Sequence, residues 1–113
     1  MVQPAGPVRT ITSEELAAKL DAGTTFRLVM ALNQWAFNAK RIPRSERFDN
    51  ETDLMAAIDQ GEEVIVYCTN EKCHASLALY HALVDAEYHN VRRYSGGIQE
   101  WEEKGLPLEG EWA

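Results

Sequence analysis

Two cysteines five residues apart, Cys68 and Cys73, are the side chains of this sequence best suited to nucleophilic chemistry. Cys68 directly follows the uniformly apolar run Val64–Tyr67, which is typical of a strand buried on both faces. The polar segment after it leads into a helix, whose N-terminus and neighbouring loop amides favour a thiolate over a thiol. We therefore predict that Cys68 is a reactive thiolate, although a free cysteine is more often a small buried apolar side chain.

The segment after Cys68 is predicted to bind a small anion. Its candidate binding residues are Thr69, Asn70, Glu71, Lys72, Cys73, His74, Ala75 and Ser76. The amides from about residue 70 to residue 75 are expected to point inward, and the helix is expected to begin near Ser76. Lys72 adds a positive charge and His74 a hydrogen-bond donor, whereas Glu71 would repel the anion if it turned inward.

Cys73 has two alternative interpretations. It is either a resolving thiol that attacks a persulfide or sulfenate on Cys68, or a packing residue at the start of the helix. Five positions across a loop allow the two sulfurs to meet, and geometry decides between the alternatives. The Cys and His spacing does not match a structural zinc site, because no second ligand pair follows at the usual separation. We expect neither a metal nor a cofactor.

The charge of the chain argues against two classes of partner. Eleven basic and 18 acidic side chains give a formal net charge of −7, which repels nucleic acid and anionic membranes. No apolar run is long enough to span a bilayer, and the N-terminal sequence lacks the basic and apolar regions of a secretory signal. The 113 residues fit one domain, which we expect to be cytoplasmic.

Strand-like and helix-like segments alternate along the chain, which predicts an α/β domain with a largely parallel sheet. Strands are expected at residues 8–11, 26–30, 64–67 and 91–94, with 64–67 in the centre. Ligands bind at the carboxyl ends of the strands in such sheets, and Cys68 lies at such an end. Helices are expected after a capping box of Thr12 and Glu15, after Asn50 as far as Gly61, over about residues 76–85, and around Ile98 and Trp101.

Several segments together resemble the rhodanese-like domains. They are ITSEELAAKL near the N-terminus, VIVYC with its polar loop, RIPRS in the middle and NVRRYSGGIQEWEEKGLPLEG near the C-terminus. A pattern with a second cysteine in the loop also occurs within that family. The resemblance implies a single domain over residues 1–113, with a core of about residues 9–110. It implies a three-layer α/β fold with a central, mainly parallel sheet flanked by helices.

The resemblance also implies sulfurtransferase chemistry. Cys68 matches the catalytic cysteine of the family, and residues 69–74 match its cradle loop. The thiolate would attack the outer sulfur of thiosulfate or a similar donor, sulfite would leave, and a thiophilic acceptor would take the persulfide sulfur. The implied partners are a small sulfur-containing anion as donor and a thiol or a protein as acceptor, with no nucleic acid and no membrane.

Five positions outside the loop depart from the family pattern. Met30 and Leu32 stand where an aspartate and an arginine are common, and Arg41 and Arg44 replace the histidine and glycine of the usual HIPG. Glu87 replaces a glycine, so it is expected to end a helix in a strained conformation. Arg41 is a candidate cation for contact with the bound anion. These departures leave substrate choice and catalytic strength open.

Two other functions compete with sulfur transfer. The first is a non-catalytic binding, sulfur-relay or redox module that has kept the fold without efficient turnover. The second is a cysteine phosphatase or arsenate reductase, because related loops hold a cysteine followed by five residues and an arginine. His74 occupies that arginine position and lacks the rigid fork suited to phosphate, which makes the second alternative the weaker one.

Overall fold

The strands and helices that alternate along the sequence form three layers, a central sheet with helices on each face. The computed structural model describes residues 8–113, and residues 1–7, which include most of the segment judged not to be a secretory signal, lie outside the described residues. The elements in chain order are α1 (Ser13–Asp21), β1 (Arg27–Met30), α2 (Gln34–Ala39), β2 (Ser45–Glu46), α3 (Glu51–Ala57), β3 (Val64–Tyr67), α4 (His74–Asp85), β4 (Val91–Tyr94) and α5 (Gly97–Glu103).

The four strands form one parallel sheet in the order β2-β1-β3-β4. Leu28 pairs with Ile65, and Ile65 pairs in turn with Arg92, so β3 has a strand on each side. All four residues of β3 are fully buried, as its unbroken apolar sequence predicts for a strand covered on both faces. The predicted central position of residues 64–67, between β1 and β4, is confirmed, and so is the α/β fold class.

Alternate residues of the strands enter two separate cores, one on each face of the sheet. The first core lies under α1 and α5 and includes Leu16, Leu28, Ile65, Tyr67, Ile98 and Trp101. The second lies under α3 and α4 and includes Val29, Leu54, Val64, Val66, Leu83 and Val91. Because helices cover both faces of the sheet, the loop after β3 is accessible only at the carboxyl edge, and Cys68 begins that loop. In the part of the chain that the structure describes, no helix is both long and apolar enough to cross a membrane.

Local sequence signals set the starts of two helices as predicted. The Thr12 side chain accepts from the amide of Glu15, and the Glu15 carboxylate accepts from the amide of Thr12, which completes the capping box of α1. The Asn50 side chain caps α3 in the same way through the amide of Asp53. α3 ends at Ala57, well before Gly61, because the backbone is already extended at Ile58.

The structure corrects two further boundaries. Residues 8–11 were predicted to form a strand, but only Thr10 is bridged to Arg93, because the segment runs beside β4 for a single pair. The helix predicted to begin near Ser76 begins at His74, since Cys73 takes the extended N-cap conformation without any side-chain cap bond. His74, Ala75 and Ser76 therefore belong to the first turn of α4, and the loop itself is limited to residues 69–73.

Glu87 ends α4 in the left-handed conformation, as its place in the sequence predicted. Its φ is 66°, and the amides of Glu87 and Tyr88 donate to the carbonyls of Val84 and Leu83. This pair of bonds is the Schellman arrangement, whose left-handed position is usually glycine because a side chain there is strained.

Replacing Glu87 with glycine is expected to raise the free energy of unfolding by about 1 kcal/mol, because the strain is relieved at an exposed position. Urea denaturation of the reduced protein measures the change. Glu87→Ala removes the same charge but keeps a Cβ atom, so it is expected to stay within about 0.5 kcal/mol of the native protein. Equal stabilisation by both substitutions would assign the effect to charge and not to the backbone.

Candidate functional site

Cys68 is fixed by its backbone at the carboxyl end of β3. Its carbonyl accepts from the amide of Ile98 at 3.1 Å, and the carbonyl of Thr69 accepts from the amide of Gln99 at 2.9 Å. Both donors belong to the first turn of α5, whose amides have no partner within their own helix. The residue is 1% exposed. The start of α5 therefore holds the first residues of the loop against the sheet.

Gly97 allows this close approach. A Cβ atom at Gly97 would lie 2.6 Å from the carbonyl oxygen of Cys68 and 2.6 Å from the carbonyl carbon of Thr69, which is closer than atoms can pack. The φ of Gly97 is also positive, at 66°. The second glycine of the Gly96-Gly97 pair is thus required both by the turn and by contact with the backbone of Cys68.

Asn70 organises the middle of the loop. Its side-chain oxygen accepts from the amide of Lys72 at 3.0 Å, and its carbonyl accepts from the amide of Cys73 at 3.1 Å. Its side-chain nitrogen donates to Gln99 at 2.9 Å, which ties the loop to α5. The amides of Lys72 and Cys73 are therefore already bonded to Asn70 in this form of the loop, and anion binding by the loop amides stays a prediction.

Cys68 and Cys73 are joined by a disulfide, with their Cα atoms 6.2 Å apart. The separation lies within the usual range for a bridged pair. Cys73 is half-buried at the N-cap of α4, whereas Cys68 is buried. The geometric question left open by the sequence is thus answered: the two sulfurs meet across the loop. In this form Cys68 has no free thiol.

Arg93 is a buried cation beneath the loop that was not predicted from the sequence. Its guanidinium donates to the Ser76 hydroxyl at 3.0 Å and to the carbonyls of Glu71 and Cys73, each at 3.1 Å. Among residues 8–113 no carboxylate lies within ion-pairing distance of Arg93. Its positive charge is therefore balanced only by dipoles of the loop and the first turn of α4.

A signal for this residue is present in the sequence. Two adjacent arginines, Arg92 and Arg93, lie in a strand that is otherwise apolar, and consecutive strand residues face opposite sides. One arginine must therefore face each side of the sheet, and an arginine buried there needs several hydrogen-bond acceptors. Arg92 pairs with Glu63 at 2.9 Å near the start of β3, while Arg93 reaches the loop.

Arg93→Lys is expected to lower the free energy of unfolding by about 2 kcal/mol, because lysine keeps the charge but cannot reach three acceptors with a planar fork. Arg92→Lys is the matched control, since its ion pair with Glu63 tolerates either cation, and the expected loss is within about 0.5 kcal/mol. Urea denaturation of both reduced variants measures the difference. Equal losses would show that the buried guanidinium does not hold the loop.

Tyr67 ties the end of β3 to the turn at residues 42–45, which lies within the RIPRS segment. The amide of Ile42 donates to the Tyr67 oxygen at 3.1 Å, and the Ser45 hydroxyl donates to the carbonyl of Ile42, so the Tyr67 hydroxyl is left to donate to Ser45. Burial raises the pKa of Tyr67 to about 12, which keeps the phenol neutral. Side-chain hydrogen bonds therefore anchor the residue before Cys68, as backbone hydrogen bonds anchor Cys68.

Of the other predicted binding residues, three lie at or beside the loop and Arg41 lies away from it. Glu71, Lys72 and His74 are exposed at the loop and the start of α4. Arg41 instead pairs with Glu109 at 3.7 Å and lies over the ring of Phe37. None of the hydrogen bonds of Arg41 among the described residues reaches the loop, so its contact with an anion stays a prediction.

A cleft of about 560 Å³ lies beside the loop. Asn70, Glu71 and Lys72 line one side of it, while neither cysteine lines it. The charged residues of its wall are four glutamates and two lysines, namely Glu14, Glu71, Glu100, Glu103, Lys72 and Lys104. The excess of carboxylates disfavours the binding of a small dianion in this cleft.

Arg44 occupies the position at which the resemblance expects a glycine, and its φ is 72°. Its guanidinium lies 4.6 Å from the centre of the Phe26 ring and at hydrogen-bonding distance, 3.5 Å, from the carbonyl of Phe26. These contacts offset part of the strain of a left-handed arginine. The departures from HIPG at Arg41 and Arg44 thus have packing roles at the edge of the first core.

Solved structures share this fold at low sequence identity. A protein from Bacillus halodurans is 18% identical, with a TM-score of 0.82, over 92% of this chain and 78% of its own. A rhodanese-like domain protein from Staphylococcus aureus is 20% identical, with a TM-score of 0.75, over 92% and 99%. Thiosulfate sulfurtransferase from Pseudomonas aeruginosa is 23% identical, with a TM-score of 0.76, over 91% of this chain and 20% of that enzyme.

No curated protein sequence matches this chain as a relative. The family model for the rhodanese-like domain matches residues 12–104, which include every strand of the sheet, the disulfide loop and α5. The match extends over most of the chain and agrees with the resemblance found in the sequence. The chain therefore belongs to the rhodanese-like domain family.

Proposed function

We propose that this protein is a sulfurtransferase that carries sulfane sulfur as a persulfide on Cys68 after the Cys68–Cys73 disulfide has been reduced. The observation that carries the proposal is the placement of Cys68. It follows a fully buried central strand, its carbonyl is held by Ile98, and its loop ends at the N-terminus of α4. The family and a structural neighbour named as a thiosulfate sulfurtransferase support the same chemistry.

The electrostatics around the loop favour a thiolate on Cys68. α4 spans 12 residues, and no side chain caps its N-terminus, so the positive end of its dipole stays available. Arg93 adds a buried positive charge that bonds to loop carbonyls without a carboxylate partner among the described residues. Both effects lower the cost of a negative sulfur, whether it belongs to the thiolate or to the persulfide.

The proposed donor is thiosulfate or a similar small anion. The Cys68 thiolate attacks its outer sulfur, the sulfur–sulfur bond of the donor breaks, and the bonding electrons leave with sulfite. The product on the protein is a Cys68 persulfide anion, so the charge is conserved. A thiol or a protein thiol then takes the outer sulfur. Cys68 must be reduced beforehand, because the attacking species is a thiolate, and a sulfur already bonded in a disulfide is neutral and too weak a nucleophile for this attack.

Intact-mass spectrometry tests this proposal. The protein is reduced, freed of reductant under anaerobic conditions and mixed with thiosulfate. We expect sulfite release, and a gain of one sulfur atom at Cys68 in a variant that lacks the second thiol. Oxidised protein treated in the same way serves as the control and is expected to stay unchanged. The proposal would be contradicted if neither the reduced native protein nor the reduced variant released sulfite or gained sulfur.

The disulfide also supports a second candidate function, that of a redox or sulfur-relay module. A bridge that closes over the nucleophile is the arrangement of a redox-sensitive thiol pair. The two functions differ in turnover: a sulfurtransferase forms thiocyanate repeatedly from thiosulfate and cyanide, whereas a relay module is loaded once and passes sulfur only to its partner. A cyanide-dependent assay of the reduced protein therefore distinguishes them.

A further inference from the structure

We propose that Cys73 discharges the Cys68 persulfide, so that the sulfane sulfur leaves as sulfide and the Cys68–Cys73 disulfide is formed. This inference rests on the proposed function, because it starts from the Cys68 persulfide. It extends that function by making the protein a thiosulfate reductase that depends on a dithiol reductant. The outer sulfur then need not be passed to an external acceptor.

The disulfide in the structure is the product expected of this step. Attack by the Cys73 sulfur on the inner sulfur of the persulfide, which is Sγ of Cys68, joins these two atoms and no others. The Cα atoms are 6.2 Å apart, a separation at which a disulfide forms without movement of the backbone. The two residues are thus placed for direct reaction within one short loop.

Independent contacts hold both cysteines in place without help from the sulfur–sulfur bond. On the Cys73 side, the amide donates to the carbonyl of Asn70 at 3.1 Å, and the carbonyl accepts from Arg93 at 3.1 Å. On the Cys68 side, the carbonyl accepts from Ile98, and Tyr67 anchors the preceding residue. Reduction removes none of these bonds, so the two thiols remain close and react as an intramolecular pair.

The atoms and electrons balance over three steps. Thiosulfate and the Cys68 thiolate give the persulfide anion and sulfite. The persulfide anion and the Cys73 thiol give the Cys68–Cys73 disulfide and hydrosulfide, so two electrons from the cysteine sulfurs reduce the sulfane sulfur. A dithiol then reduces the disulfide and becomes a cyclic disulfide. The sum converts thiosulfate and a dithiol into sulfite, hydrosulfide, a disulfide and a proton.

The difference in burial indicates where the reductant attacks. Cys68 is 1% exposed, whereas Cys73 is half-buried at the N-cap of α4, so an external thiolate reaches Cys73 more easily. Attack there makes Cys68 the leaving thiolate, and a thiolate stabilised by the positive end of α4 and by Arg93 leaves faster. The mixed disulfide is thus expected on Cys73, and the nucleophile is set free for the next donor.

A single-turnover experiment without external thiol tests the inference. Reduced native protein and reduced Cys73→Ser are each mixed with one equivalent of thiosulfate under anaerobic conditions, and sulfite, sulfide and intact mass are measured. Serine keeps the backbone bonds to Asn70 and Arg93, so the loop of the variant is retained. Native protein is expected to release sulfite and sulfide in equal amounts and to lose two hydrogens on forming the disulfide.

Cys73→Ser is expected to release sulfite but no sulfide, and to retain one additional sulfur atom. Native protein that keeps the sulfur without releasing sulfide would overturn the inference and leave the proposed function intact. So would a variant that releases sulfide as the native protein does. If neither protein releases sulfite or gains sulfur, the proposed function itself is wrong, and the inference fails with it.

Discussion

Cys68→Ser is expected to lower sulfur transfer from thiosulfate by at least about 1,000-fold, because serine supplies no sulfur nucleophile at the end of β3. The backbone of the loop does not depend on that side chain, since the carbonyl of residue 68 holds Ile98 in either case. The variant is therefore expected to fold normally. Thiocyanate formation from thiosulfate and cyanide measures sulfur transfer, and circular dichroism checks that the variant folds.

Cys73→Ser is the matched control for this prediction. Both variants lose the same disulfide, so any effect of the missing cross-link appears equally in each. Only Cys68→Ser also loses the nucleophile. Cys73→Ser is expected to retain thiosulfate-dependent formation of the persulfide and at least part of the transfer to cyanide. If Cys73→Ser alone eliminated transfer, or Cys68→Ser retained it, the nucleophile would be the other cysteine.

The sequence predicted the position of the nucleophile because that position depends on local and strongly patterned features. Val64–Tyr67 is uniformly apolar, and three of its four residues are β-branched, so it requires burial on both faces and therefore a central place. A cysteine at the end of such a strand must lie at the edge where parallel sheets bind ligands. The helix caps at Thr12 and Asn50 were equally local, and the structure contains both.

The support beneath the loop depends on contacts between residues distant in sequence, and these were not predicted. Arg93 reaches Glu71, 22 positions earlier, and no short pattern announces which of two adjacent arginines faces the loop. Asn70 accepts hydrogen bonds from the amides of Lys72 and Cys73, and this turn competes with anion binding for the same two donors. Arg41 was a candidate cation for the anion; its contacts in the structure lie with Phe37 and Glu109, and contact with an anion stays a prediction.

Gly97→Ala is expected to lower the free energy of unfolding by about 3 kcal/mol or more, because it combines a left-handed conformation with overlap on the backbone. The added Cβ would lie 2.6 Å from the Cys68 carbonyl oxygen, and a backbone atom cannot move aside as a flexible side chain can. Any relaxation must displace α5 from Cys68 or Cys68 from β3. The rate of persulfide formation is therefore expected to fall together with the stability.

Gly23→Ala separates the two causes. Gly23 has nearly the same φ, 65° against 66° for Gly97, but a Cβ atom there would meet nothing within 4 Å. Its substitution is expected to cost about 1 kcal/mol from backbone strain alone and to leave the rate of persulfide formation unchanged. Urea denaturation and the single-turnover reaction with thiosulfate measure the two effects in parallel. If both alanine variants lost the same stability and loaded sulfur at the native rate, α5 would not be what positions Cys68. A larger loss at Gly97, accompanied by slower loading, would instead establish the contact between the glycine turn and the Cys68 carbonyl as the element that fixes the nucleophile.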